Sequence, residues 1–211
     1  MKNTPTIKKN HNTSSILIGL IIIFIVLGFS AHYYAFFDID LQISRYLQGY
    51  KNSFFSLAMN FVSEIGDDFH LELIVISMMI ALIYSGSKME AFKLAVASLA
   101  GVAVGSISKL IVARPRPISD LVNIQEILND KSFPSLHVLL FTVIFGYLIY
   151  LAPQKIRTTW LKNLVVIGAT TLLLTIGVSR IYLGVHWASD TLGGYVMGAI
   201  ILICTINLNK K

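Results

Sequence analysis

The sequence predicts an all-α polytopic membrane protein: six transmembrane helices in one bundle, with an interfacial helical segment between spans one and two. Three observations carry that reading. Of 211 residues, 55% are hydrophobic and 13% charged, too little polar surface for an ordinary soluble domain. The apolar residues collect into six long runs, and in lipid each run must satisfy its own backbone, which a helix does and an open strand does not. The remaining charges lie between the runs and differ in sign from one side to the other.

The first run, Asn10 to Phe37, contains no Asp, Glu, Lys or Arg, and exceeds the ~20 apolar residues a spanning helix needs. Its length, with no small-residue cleavage site after it, favours a retained anchor over a cleaved signal peptide. Spans are expected near residues 15–37, 70–85, 90–112, 136–152, 163–179 and 189–208. Several runs are strictly uncharged over only ~15 to 18 residues, so Glu72, Lys93 and Lys109 are expected to snorkel from their ends. Between the first two runs, Leu41, Ile43, Tyr46 and Leu47, then Phe54, Phe55, Leu57, Ala58, Phe61 and Val62, recur at helical spacing. Such a segment suits a helix in the interface, and equally a spacer packed over the bundle. No repeat or low-complexity tract divides the chain, so residues 1–211 read as a single domain. The lone Cys204 has no intrachain partner for a disulfide.

A net charge of +6 is compatible with nucleic-acid binding, but the basic residues form no single block. Their distribution is topological. With the N-terminus in the cytoplasm, the inner segments hold Lys2, Lys8, Lys9, Lys88, Lys93, Lys155, Arg157, Lys162, Lys210 and Lys211, and among acids only Glu90. Asp38, Asp40, Glu64, Asp67, Asp68, Glu72, Asp120, Glu126, Asp130 and Asp190 fall on the other side. Both termini are thus expected on the cytoplasmic side of a cell membrane, with the polar clusters described next on its outer side.

Those clusters are Lys109 with Arg114-Pro115-Arg116-Pro117, then Pro134-Ser135-Leu136-His137, then Ser179-Arg180 with His186 and Asp190. Ionisable side chains are expensive beside hydrocarbon, so their gathering at span boundaries points to function. His186 and Asp190, four apart, share a face if helical; the carboxylate then fixes the tautomer and leaves the other ring nitrogen nucleophilic. An interfacial histidine is the plainer reading of His186 alone. Pro134 suits the first position of a helix, which would direct the amides near Ser135, Leu136 and His137 at an anion; an N-capping serine beside an incidental histidine fits the same residues. Lys109, Arg116 and Arg180 offer the charge to surround a phosphoryl group. A basic collar at the end of a span is the alternative for the first two.

Taken together the clusters resemble the type 2 phosphatidic acid phosphatase superfamily of membrane lipid phosphatases. Its first motif, lysine, six residues, Arg-Pro, is matched by Lys109 through Arg116-Pro117. Its third, Ser-Arg, five residues, His, three residues, Asp, is matched by Ser179, Arg180, His186 and Asp190. The second, Pro-Ser-Gly-His, is met by Pro134-Ser135-Leu136-His137, with leucine in place of glycine. The resemblance implies that His186 attacks phosphorus to give a phosphohistidine, that Asp190 orients it, and that His137 protonates the leaving group. Lys109, Arg116, Ser135, the Leu136 amide and Arg180 would bind the phosphate oxygens. Arg114 lies outside the pattern and is expected only to attract an anionic head group.

The same resemblance implies no metal or other cofactor, a lipid phosphate or pyrophosphate as substrate, the bilayer as partner, no nucleic acid and no obligate protein partner. Among bacterial members the leading substrates are undecaprenyl pyrophosphate, favoured here, and phosphatidylglycerol phosphate, with phosphatidate a further alternative. Leu136 lacks glycine's backbone freedom, and is the sole sequence support for a catalytically weak lipid-phosphate binding or transport protein. Soluble members of the superfamily are vanadate haloperoxidases, a reading the six expected spans oppose.

Overall fold

In this computed structural model the described residues run from 11 to 208, and they form eight α-helices and no strand. The helices are α1 (His11–Tyr33), α2 (Asp38–Gln48), α3 (Ser53–Ile65), α4 (Asp68–Tyr84), α5 (Lys88–Val112), α6 (Leu136–Lys155), α7 (Thr159–Tyr182) and α8 (Ala188–Asn207). Lys2, Lys8, Lys9, Lys210 and Lys211, which contribute to the charge asymmetry, lie outside the described residues. Among these helices α1, α5, α6, α7 and α8 are long and apolar enough to cross a membrane; α4 is apolar but has only 17 residues.

α6 is the axis of the bundle. Val138, Leu139, Phe141, Val143 and Tyr147 are wholly buried, and α5, α7 and α8 pack around it. A helix apolar on every side must be covered on every side, by lipid or, as here, by other helices. α8 comes closest because its inner face is glycine: a Cβ on Gly194 would lie 2.6 Å from the Ser135 carbonyl oxygen. Small residues at such crossings let backbones approach where lipid offers no hydrophobic drive for association. That approach sets the start of α6 against the start of α8, and the Ser135 N–H donates to the Asp190 carbonyl at 3.1 Å.

α1 stops at Tyr33, short of the expected Phe37, because the chain must extend to enter α2: the Phe37 N–H donates to the Asp40 carboxylate at 3.1 Å, a side-chain cap. α2 lies against α7 and α8, and α3 against α7. The inward face of α2 is not the apolar one the spacing suggests. Asp40 and Ser44 are buried, whereas Tyr46 is 67% exposed. The reason is that Asp40 is spoken for by polar groups of the site, described below. Lys93 and Lys109 also depart from expectation, since both are buried instead of snorkelling. Lys93 pairs with Glu90 at 3.1 Å, and Tyr147 donates to the same carboxylate.

Candidate active site

Four helix ends meet at one end of the bundle: the C-termini of α5 and α7 and the N-termini of α6 and α8, joined by segments 113–135 and 183–187. α5 ends through Ala113, which takes a left-handed conformation at φ 53°, unfavourable for a residue with a Cβ. The turn drives Arg114 inward. Its guanidinium is wholly buried and pairs with Asp190 at 2.6 Å and Asp40 at 3.0 Å, while Nη1 donates to Ser189 Oγ at 2.7 Å. Asp40 in turn accepts from the Ser189 N–H and hydroxyl. Arg114 is therefore a buried tie between α2, α5 and α8, not an exposed attractor of head groups.

His186 precedes α8 by two residues, so the expected sharing of a helical face with Asp190 does not occur. Asp190, in the first turn of α8, reaches back instead and caps the Trp187 N–H at 2.9 Å. Its Oδ2 stands 3.6 Å from His186 Nδ1, beyond a direct hydrogen bond. Ser132 fills the gap: its hydroxyl donates to Asp190 Oδ2 at 2.5 Å and lies 3.4 Å from Nδ1. With the serine proton committed to the carboxylate, Oγ can only accept from the ring, which assigns the proton to Nδ1 and the lone pair to Nε2. Burial, followed by the charges of Arg116, Arg180 and Lys109, holds the His186 pKa well below the usual histidine range. The ring is thus neutral at pH 7, as a nucleophile must be.

The cations surround it. Arg116 Nη1 donates to the Val185 carbonyl at 2.6 Å and to His186 Nε2 at 3.2 Å. Lys109 Nζ donates to Asp130 and to the Lys131 carbonyl at 2.8 Å, and Arg116 Nη2 to Asp130 at 2.5 Å. Burial would raise the Asp130 pKa, but hydrogen bonds from Lys109 and Arg116 and their charges bring it down to about 2. Arg180, wholly buried, donates through Nη1 to Ser63 and to Glu126 at 3.2 Å.

α6 begins at Leu136, so Pro134 does not open the helix; Ser135 is its N-cap, yet the serine side chain makes no capping bond. Its hydroxyl is buried without a partner, as are His137 Nε2 and Arg180 Nε and Nη2. Among the described residues only two other buried side-chain atoms share that condition, Ser98 Oγ and Trp187 Nε1. An unpaired buried polar group costs about 1–3 kcal/mol, so a cluster of four on the predicted residues marks where an oxyanion would bind. Leu136 finds its place against α5: a Cβ on Gly105 would come within 2.7 Å of Leu136 Cδ1. The leucine occupies space that a glycine in the neighbouring helix leaves open.

All eight predicted residues thus lie at one helix-end junction. Sequence reasoning missed Ser132, Asp40, Ser63 and the roles of Asp130 and Glu126. These residues lie in loops or on helices remote in sequence, without a motif. The ordering of acids on the outer side was their only trace.

The family model described as the PAP2 superfamily matches residues 90–211. The chain is similar to the bacitracin transport permease protein BcrC of Bacillus licheniformis, at 32% identity over 108 residues, 50% of this chain and 46% of that one. It is similar to an undecaprenyl-diphosphatase of Sulfolobus acidocaldarius at 26% identity over 133 residues, 61% of this chain and 60% of the relative. The matched part spans about half the length of these curated relatives. The crystal structure of a PAP2-type phosphatidylglycerolphosphate phosphatase from Bacillus subtilis superposes with a TM-score of 0.81, covering 92% of this chain and 96% of that one at 19% identity. At that identity the likeness is one of fold.

Proposed function

The chain belongs to the PAP2 superfamily of phosphatases, and on that premise we propose that it is a metal-independent lipid phosphatase acting on undecaprenyl pyrophosphate at the outer face of the membrane. The observation that supports this best is the buried His186, backed by Ser132 and Asp190, amid the cations of the three motifs and the unpaired polar atoms of Ser135, His137 and Arg180. His186 Nε2 attacks the terminal phosphorus; the bond to the bridging oxygen breaks, and undecaprenyl phosphate leaves with a proton from His137. Water, deprotonated by His137, then cleaves the phosphorus–nitrogen bond and releases inorganic phosphate. Lys109, Arg116, Ser135, the Leu136 amide and Arg180 carry the charge of the equatorial oxygens.

A lipid substrate is favoured by an apolar groove of about 350 Å³ between α4, α5 and α6, lined among others by Leu71, Val75, Leu99, Leu140 and Ile144. Leu140 lies three residues beyond His137, one turn along the same face of α6. A prenyl chain in that groove leaves its head beside the general acid. In this reading α4 is the second of six spans, α2 and α3 form the interfacial segment between the first two, and both termini are cytoplasmic. Phosphatidylglycerol phosphate is the second substrate reading, named by the superposed Bacillus subtilis phosphatase.

Two measurements test the proposal. Detergent-solubilised chain is given undecaprenyl pyrophosphate, phosphatidylglycerol phosphate and phosphatidate, and released phosphate is followed. The prenyl substrate should turn over fastest, His186→Ala should abolish both turnover and phosphoenzyme, and turnover by that variant would remove His186 as nucleophile. For topology, cysteines placed at Ser119 and Asn129 should react with an impermeant reagent from outside spheroplasts and one at Thr158 should not; the opposite pattern would invert the membrane placement.

A further inference from the structure

The two cations of the first motif are already occupied, and by a carboxylate from the chain itself. Asp130 spans them, one oxygen on Lys109 Nζ and the other 2.5 Å from Arg116 Nη2, while its carbonyl takes Arg116 Nε at 2.9 Å. Arg116, so held, places Nη1 on the lone pair of His186 Nε2, the atom that must attack phosphorus. Four residues earlier, Glu126 takes the third cation, Arg180. These N–H groups cannot serve phosphate oxygens and carboxylates at once. The segment has fixed ends: the Gln125 N–H donates to the Leu183 carbonyl at 2.9 Å, Leu128 packs against Met59, Tyr182 and Leu183, and the Ser132 N–H donates to the Arg114 carbonyl at 2.9 Å. Between Leu128 and Ser132 the Asp130 side chain is 55% exposed and has solvent into which to withdraw.

We propose that Asp130 is an internal ligand of the phosphate site, holding Lys109 and Arg116 until a more highly charged anion displaces it. The inference rests on the phosphatase reading of that site. Competition of this kind lowers the apparent affinity of every anion by the same factor, the fraction of chains in which the site is open. Its effect is a threshold. A terminal phosphate, with charge near −1.5 to −2 and three free oxygens, clears it. A phosphodiester head group, with one charge and two free oxygens, binds too weakly to do so. Such diesters are the natural competitors wherever a lipid phosphatase works among ordinary phospholipids, so Asp130 keeps their occupancy of the site low, while the ratio of monoester to diester affinity stays that of the open site. It also releases Arg116 from His186 only when a suitable anion has arrived.

The test uses binding, not turnover. The full chain in detergent is titrated with inorganic phosphate and with dimethyl phosphate, followed by phosphorus NMR line broadening. Asp130→Asn should bind inorganic phosphate about tenfold more tightly than wild type, as expected if roughly nine chains in ten are self-occupied. Dimethyl phosphate should bind measurably only to the variant. Asp130→Ser, which removes the charge with a shorter side chain, should behave alike and decides the matter if the asparagine variant fails to fold. Unchanged or weaker phosphate binding by the folded variants would show Asp130 to be a positioning residue and overturn the inference while leaving the phosphatase reading intact. Dimethyl phosphate binding to wild type as tightly as phosphate would overturn the threshold. Failure of every variant to bind phosphate would overturn both readings of the site.

Discussion

Arg114→Met is the substitution that most directly tests whether the site is built on a buried charge relay. Arg114 has no exposed surface, and neither Asp190 nor Asp40 has more than 1% of its side chain exposed. Methionine approximates the arginine stem in volume but leaves two carboxylates buried without their counter-charge. Removing one partner of a buried pair costs about 3–5 kcal/mol, chiefly because the other charge stays behind. For a chain of this size each kcal/mol shifts Tm by ~2–4 °C, so unfolding of the solubilised variant should move down by about 6–20 °C. Arg114→Lys should recover only part of this. A single ammonium cannot reproduce the fork that holds Asp190, Asp40 and Ser189, nor the contacts of Nε with the Tyr34 and Ala35 carbonyls at 3.3 and 3.2 Å. Adding Asp40→Asn to Arg114→Met should restore part of the stability by removing one orphaned charge, whereas Asp190→Asn should restore stability without turnover. Tm of Arg114→Met within 2 °C of wild type, with normal turnover, would refute the claim that the relay orders Asp190.

Two further outcomes follow from contacts in the site. Ser132→Ala removes the bridge between His186 and Asp190; losing a hydrogen bond to a charged group, ~1.5–3 kcal/mol, should lower kcat about 10- to 150-fold with little change in KM, and equal falls in kcat and kcat/KM are the check. Gly105→Ala puts a methyl 2.7 Å from Leu136 Cδ1, so stability should fall by about 1–3 kcal/mol in denaturant unfolding and the added change Leu136→Ala should return most of it; additive losses would show that the two do not touch.

The sequence disclosed the ingredients of the site more fully than its wiring. Lys109, Arg116, Ser135, His137, Arg180, His186 and Asp190 were legible because each follows or begins an apolar run, where a charge is costly and so conspicuous. Ser132 was not. A serine in a polar loop of 23 residues between α5 and α6 carries no local signal, and its position between ring and carboxylate exists only once Gly194 lets α8 close on the start of α6. Arg114 was misread because its burial depends on Ala113 turning left-handed and on Asp40, 74 residues away, meeting it from α2. The helical periodicity of α2 likewise predicts an apolar inner face, and fails where the surface it packs on is itself polar. Spacing reports what a helix would bury against hydrocarbon, not what it buries against a polar junction.

The departure at Leu136 gains its meaning from the same kind of pairing. Glycine at that position would keep backbone freedom, yet Leu136 already lies at the start of an α-helix, where the first amides have no intrahelical acceptor and can meet an anion without unusual dihedrals. The remaining demand is room for the side chain. Gly105 supplies it on α5, four residues before Lys109, so the leucine packs against the helix that carries the first cation of the three motifs. In this chain the contact between α5 and α6 is made by a leucine into a glycine gap, which couples the lysine of one motif to the amide of the next. A substituted motif residue with its own compensating space argues for a retained site, and against the binding-protein reading for which Leu136 was the sole support.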